Sequence, residues 1–170
     1  IEFSEEFTKK FAGPQFGIDG VREYTKVKGR PFLLNMVKPC TGLTPEEGAK
    51  IFYQTALGGV DFIKDDELLG NPSYSHPADR VKAFRKAAKA AYEESGHHVK
   101  YFVNVTSGTA EIMDNVKAVE DAGADGIMIN FAAVGYSVLK QVAEETNLPI
   151  LGHAAGSGMV YEGTLNGMSS

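Results

Sequence analysis

The sequence has almost no cysteine: Cys40 is its only one. An internal disulfide is therefore excluded, and a reducing cytoplasm is the simplest compartment. It also lacks any basic run. Its 17 Lys and Arg are scattered among 22 Asp and Glu, for a net charge of −5, which argues against a nucleic-acid or anionic-membrane surface. No apolar stretch approaches the roughly 20 residues of a membrane-spanning helix. The opening IEFSEEFTKKF is acidic and amphipathic, unlike a secretory signal, and there is no initiator methionine. No G-x-G-x-x-G follows the first predicted strand, which disfavours a dinucleotide-binding sheet.

What is present is a repeating unit in an ordinary globular composition, 43% hydrophobic and 23% charged. Residues 1–30 form a lead-in punctuated by Gly and Pro (FAGPQFGIDG, KVKGRP). Across residues 31–170, short apolar runs alternate with helical patterns. PFLLNMV, VDFIK, KYFVNV, DGIMIN and LPILGH are predicted strands. TGLTPEEGAKIFYQTALGG is a predicted helix, with Thr44 as N-cap, Pro45 at its first position and Glu47 completing a capping box. Ile51, Phe52, Thr55 and Ala56 form its apolar stripe, and Gly58 and Gly59 end it. SHPADRVKAFRKAAKAAYEESG, TAEIMDNVKAVEDAG and GYSVLKQVAEETN are the later helices; Val81, Phe84, Ala88 and Tyr92 mark the apolar face of the first, and Gly96 stops it. The final SGMVYEGTLNGMSS is Gly-rich and weakly helical. Strand–helix alternation implies a parallel sheet with right-handed crossovers. Strands apolar throughout imply that both faces are covered. The expected fold class is α/β, of the (β/α)₈ TIM-barrel type, with about the first five units present.

Each predicted strand ends in a chemically capable residue: Lys38; Lys64-Asp65-Asp66-Glu67; Asn104 with Thr106; Asn130; His153. In a barrel these ends form the active-site face. Strand alternation points Lys64 and Asp66 the same way and Asp65 elsewhere, while Glu67 reaches in as the strand ends. Two converging carboxylates suit a hard cation such as Mg²⁺. A lysine beside that cation must be displaced or lose its charge. A desolvated lysine has a lowered pKa and acts as a nucleophile. Adding CO₂ turns it into a carbamate, an anionic oxygen ligand. By spacing alone, KDDE reads equally as a surface ion-pair cluster.

From Gly13 to Gly167 the chain resembles the ribulose-bisphosphate carboxylase large-subunit superfamily. The resemblance is carried by GPQFGIDGVRE, RPFLLNMVKPCTGL, GGVDFIKDDE, YFVNVTSGT, LGH and NGM. It implies a (β/α)₈ barrel, a carbamylated Lys64, and Mg²⁺ held by Lys64, Asp66 and Glu67. It implies catalytic roles for Lys38, Lys64, Asn104 and His153, with Lys38 moving a proton beside the substrate carbonyl. It also implies a phosphorylated sugar substrate and a homodimer or higher homo-oligomer, with no nucleic-acid or membrane partner.

The chain departs from true carboxylases at several of these positions. Cys40 replaces the second lysine of a K-P-K motif. Ala154 and Ser157 replace an arginine and a histidine after the fifth strand. Asn130 and Phe131 replace a histidine and an aspartate. This profile resembles the RuBisCO-like proteins, whose implied chemistry is Mg²⁺-dependent enolisation, isomerisation or decarboxylation without productive CO₂ fixation. A genuine carboxylase variant and a non-catalytic Mg²⁺-binding barrel piece are the alternatives. With five of eight strands and most of the family's N-terminal domain unmatched, the chain is expected to be part of a longer protein or to pair with other chains, and to lack turnover alone. Leu68, Leu69, Asn71 and Phe131 are specificity positions without a readable code.

Overall fold

The structure, a computed structural model, describes residues 2–161. The NGM motif and most of the Gly-rich tail lie outside the described residues. In chain order the elements are α1 (Glu5–Thr8), α2 (Gly17–Thr25), β1 (Leu34–Met36), α3 (Pro45–Leu57), β2 (Phe62–Lys64), α4 (Pro77–Ser95), β3 (Lys100–Asn104), α5 (Ile112–Asp121), β4 (Gly126–Asn130), α6 (Phe131–Val134), α7 (Tyr136–Glu145), β5 (Ile150–His153) and α8 (Gly158–Tyr161). The five strands form one parallel sheet in the order β1-β2-β3-β4-β5. This is the partial α/β barrel expected from the alternation of strands and helices.

Local chemistry explains the best-defined helices. Thr44 and Glu47 form the predicted reciprocal capping box, with Pro45 at the first position of α3. α4 starts at Pro77 behind the extended His76 and stops at Gly96, whose φ of +69° is the left-handed turn that glycine adopts without a Cβ clash. α3 and α4 lie so close that a Cβ on Gly48 would stand 2.9 Å from the Phe84 ring. Phe52, Phe84 and Tyr101 pack at ring separations of 4.8–5.7 Å, joining α3, α4 and β3. Ile63, Val103, Ile127 and Ile129 complete this helix-side core. Phe62, Phe102 and Met128 are buried on the opposite face.

Three expectations need correction. The strands are shorter than the apolar runs: β1, for example, pairs only over Leu34–Met36 of PFLLNMV. β1 is not covered on both faces: Leu34 is 46% exposed and Asn35 is exposed as well, in an edge strand of the described sheet. The buried face of α4 runs through Arg80, Val81, Phe84, Ala87 and Ala91. Ala88 sits at its margin and Tyr92 is exposed. The lead-in also carries a helix that its Gly and Pro spacing concealed. α2 is fastened to the strand-start end of the sheet, where the Tyr24 hydroxyl donates to Asp125 O at 2.8 Å.

At that same end, Asp61 ties three strands. Arg30 donates to both of its oxygens at 2.6 and 2.7 Å, and Leu33 N–H donates at 2.8 Å. Lys100 N–H donates to Asp61 O. The Arg30 bond holds the Asp61 carboxyl below the usual range, with burial opposing and Leu33 N–H assisting. A carboxyl depressed in the folded state contributes stability above its unfolded pKa of about 3.9, and loses it as pH falls through the folded value. Asp61→Asn is therefore expected to cost about 1–3 kcal/mol at pH 7 and progressively less below about pH 4. Urea unfolding at both pH values checks this; an equal deficit at pH 7 and pH 3 would rule out the ion pair as its source.

Candidate functional site

The strand ends expected to carry chemistry meet at the C-terminal edge of the sheet. Lys64 closes β2 and is 8% exposed. Its Nζ donates to Asp65 O at 3.0 Å and touches the Met36 and Met128 sulfurs at 3.3 and 3.7 Å. Among the described residues, no carboxylate comes within the 4.0 Å ion-pair limit of this ammonium. Burial lowers the Lys64 pKa, against the pull of Glu67, Asp66 and Asp65.

Asp66 lies on the same side and is 2% exposed. The ammonium of Lys38, from beyond β1, donates to its Oδ2 at 2.6 Å. Burial pushes the Asp66 carboxyl up, but the Lys38 bond and the Leu68 N–H carry it below the usual range. The same bond to Asp66 raises the Lys38 pKa. Glu67 is half-buried, with Oε2 3.7 Å from His153 Nε2. Ala155 N–H donates to His153 Nδ1 at 3.0 Å. A neutral imidazole therefore carries its proton on Nε2, the nitrogen facing Glu67. Asn104 is fully buried at the end of β3 and donates from Nδ2 to the carbonyls of Asp66 and Glu67 at 3.1 and 3.3 Å.

Lys38, Lys64, Asp66, Glu67, Asn104 and His153 thus form one connected group drawn from four strand ends. The fourth strand joins it indirectly, through Asn130 N–H donating to Thr106 Oγ1 at 2.9 Å. Asn130 Oδ1 is buried and has no hydrogen-bond partner among the described residues. Cys40 is half-buried, Ala154 exposed and Ser157 half-buried. Of the positions without a code, Leu68 is 69% exposed, Leu69 is buried, and Phe131 packs on Tyr136 at 5.4 Å. Asn71 bonds to Asn115 and His76.

Sequence reasoning missed the partner of Asp65. Asp65 faces the helix layer, fully buried, and accepts from Tyr101 Oη at 2.6 Å, Asn104 N–H at 2.9 Å and Arg80 Nε at 3.1 Å. Burial works against the Arg80 charge, and the Asp65 carboxylate more than offsets it, so the guanidinium stays firmly protonated. One signal was available: Arg80 falls on the i, i+4 row with Phe84, inside an apolar stripe.

The donor set can be weighed against a cation. Among the described residues, no three His, Cys, Asp or Glu side chains are grouped to hold one. Asp66 and Glu67 supply two carboxylates, and the third neighbour is Lys64. The group fits a hard divalent cation only with Lys64 as an anionic ligand. An open groove of about 860 Å³ between α3 and α4 is lined by Tyr53, Tyr74 and His76 among others. It lies on the helix layer and contains none of these residues.

The catalytic-domain family of the ribulose bisphosphate carboxylase large chain matches residues 17–170. A ribulose bisphosphate carboxylase-like protein of Archaeoglobus fulgidus is 42% identical over 172 residues, covering 100% of this chain and 39% of that protein. A 2,3-diketo-5-methylthiopentyl-1-phosphate enolase of Bacillus pumilus is 39% identical over 171 residues, covering 99% of this chain and 42% of that protein. The crystal structure of a rubisco-like protein from Alicyclobacillus acidocaldarius superposes with a TM-score of 0.91 at 33% identity, covering 99% of this chain and 44% of that one. The chain spans about 40% of the length of the curated relatives it matches.

The isolated ammonium of Lys64 should make this position a stability defect. Its contacts are two thioethers and one carbonyl, with a rim open enough to soften the penalty. Lys64→Met is expected to raise stability by about 1 kcal/mol at pH 7. The gain should shrink as pH rises, because a lysine with a lowered folded-state pKa costs most where it is charged. Thermal unfolding of the two proteins between pH 6 and 10 measures it; a less stable methionine variant contradicts this account of the site.

Proposed function

We propose that this chain, which belongs to the ribulose bisphosphate carboxylase large-chain family, supplies the metal-building half of a RuBisCO-like enzyme. In this reading the protein enolises a phosphorylated keto-sugar or sugar acid without fixing CO₂. The observation that carries it is Lys64: a buried lysine with no paired carboxylate among the described residues, near enough to Glu67 and Asp66 to feel their charge. As a neutral amine, Lys64 adds to CO₂ and releases one proton, leaving a carbamate. That carbamate, with Asp66 and Glu67, would hold Mg²⁺. Bound there, the cation supplies Lewis-acid stabilisation of oxygen charge developing beside a carbonyl.

The remaining work falls to the chain's own side chains. Lys38, which bonds to Asp66 here, would be free of that pair wherever Asp66 served as a ligand, and would move a proton at the carbon next to the substrate carbonyl. Asn104 keeps the backbone of Asp66 and Glu67 in place through its two amide bonds. His153 directs an N–H toward Glu67 and the open rim. Cys40, Ala154 and Ser157, standing where the resemblance expects carboxylase residues, favour enolisation over carboxylation. The enolase of Bacillus pumilus supports the same choice and points to a phosphorylated diketo compound as substrate class. A cytoplasmic homodimer or higher homo-oligomer completes the proposal; the single cysteine is consistent with the compartment. Among the described residues no helix is long and apolar enough to cross a membrane.

Titration calorimetry tests the metal site. Mg²⁺ binding is expected to require bicarbonate and to vanish in Lys64→Ala; binding indifferent to both would reduce KDDE to a carboxylate patch. Lys38→Met frees Asp66 of its competing cation and is expected to tighten Mg²⁺ binding about ten-fold. Unchanged affinity would mean that the Lys38 contact does not oppose metal loading. For the activity, the full-length polypeptide should exchange the substrate α-proton with solvent deuterium, read by NMR. Incorporation of labelled bicarbonate into ribulose bisphosphate products would instead favour the carboxylase reading.

A further inference from the structure

Asp65 is the one acid of the run that the proposed metal site does not use, and it is the most deeply held. The three donors to its carboxylate, two side chains and the Asn104 N–H, come from β3 and α4. Arg80 does more than neutralise it. From Nη2 it donates to Leu69 O at 3.0 Å, Gly70 O at 2.9 Å and Asn104 O at 3.1 Å, and from Nη1 to Ser75 O. One fully buried guanidinium therefore spends its fork on the end of β2, the loop that follows it, and the end of β3. The loop is pressed home there: a Cβ on Gly70 would stand 2.5 Å from Thr106 O.

Resting on the metal-site reading above, we propose that Arg80 is a positioning residue for the ligand pair Asp66 and Glu67, acting through Asp65 and the backbone of Asn104. The route has two steps. Arg80 and Tyr101 hold Asp65 toward the helices, and strand alternation then commits Lys64 and Asp66 to the opposite face. Arg80 Nη2 also donates to Asn104 O, while Asn104 N–H donates to the Asp65 carboxylate. The backbone so fixed aims the Asn104 amide at the carbonyls of Asp66 and Glu67. A buried ion pair of this kind adds little net stability over an apolar replacement of similar volume. Its value lies in holding ligands to within a fraction of an ångström.

The test is Mg²⁺ affinity in the presence of bicarbonate, measured by calorimetry on the full chain well below each variant's unfolding temperature. Arg80→Met keeps the volume, Arg80→Lys keeps the charge, and Tyr101→Phe removes one hydrogen bond from Asp65. The expected result is a loss of affinity of ten-fold or more in both Arg80 variants. Arg80→Lys should recover thermal stability relative to Arg80→Met without recovering affinity, a split that a purely structural role would not produce. Should both Arg80 variants fail to fold, Tyr101→Phe decides: at least a three-fold weaker Mg²⁺ affinity supports the inference, and wild-type affinity overturns it. Folded Arg80 variants that bind within three-fold of wild type overturn it as well. A wild-type chain without bicarbonate-dependent binding is a different failure, that of the metal-site reading itself, and it removes this inference with it.

Discussion

A side chain leaving a strand must go to one face or the other, and residues 64–66 use both in succession. This alternation is the constraint on which the rest of the site depends. Asp65 goes to the helix layer, where Arg80, Tyr101 and Asn104 N–H hold it. Lys64 and Asp66 are thereby placed on the face that also carries Asn104 and His153. The parallel register brings Met36, Lys64 and Phe102 to the same level across three strands. The chemistry of the rim is thus an outcome of sheet geometry before it is one of charge.

Charge then sets the tension within the rim. Two lysines and two carboxylates share it, yet they pair unevenly. Lys38 bonds to Asp66 at 2.6 Å, whereas among the described residues Lys64 meets only sulfur and a carbonyl. The exposed lysine has the partner and the buried one has none, the reverse of what stability alone would select. Such local conflict is characteristic of sites kept for function, where a residue is held in a poor environment by well-made surroundings. Here the surroundings are the Phe52–Phe84–Tyr101 cluster and the Arg80 clamp.

Much of this was legible in the sequence, for identifiable reasons. The capping box of α3, the stop at Gly96 and the strand–helix alternation are local signals, and all are present. The grouping of Lys38, Asp66, Glu67, Asn104 and His153 was also legible, because parallel strands in chain order place their C-terminal ends together. Arg80 was not, because a charged residue in an apolar stripe is discounted unless its buried partner is known. The exposure of Leu34 was invisible as well: apolar letters describe a strand and not its neighbours. α2 escaped for a further reason. Its anchors, such as Tyr24 to Asp125 O, join residues 101 positions apart, and no periodicity reports such contacts.

The strand order of the sheet has a consequence for how the chain acquires its shape. Among the described residues, each strand pairs only with its neighbours in sequence. Each unit can therefore dock on the one before it as soon as it emerges from synthesis, without waiting for a distant partner. Over these five units, growth of this kind resembles the stepwise stacking of a solenoid. The rim follows the same timetable. Lys38, the β2 acids and Asn104 are in reach of one another once β3 has docked, and His153 is added two units later. In a nascent chain, the acids and the lysine of β2 would be assembled before the histidine that faces them arrives.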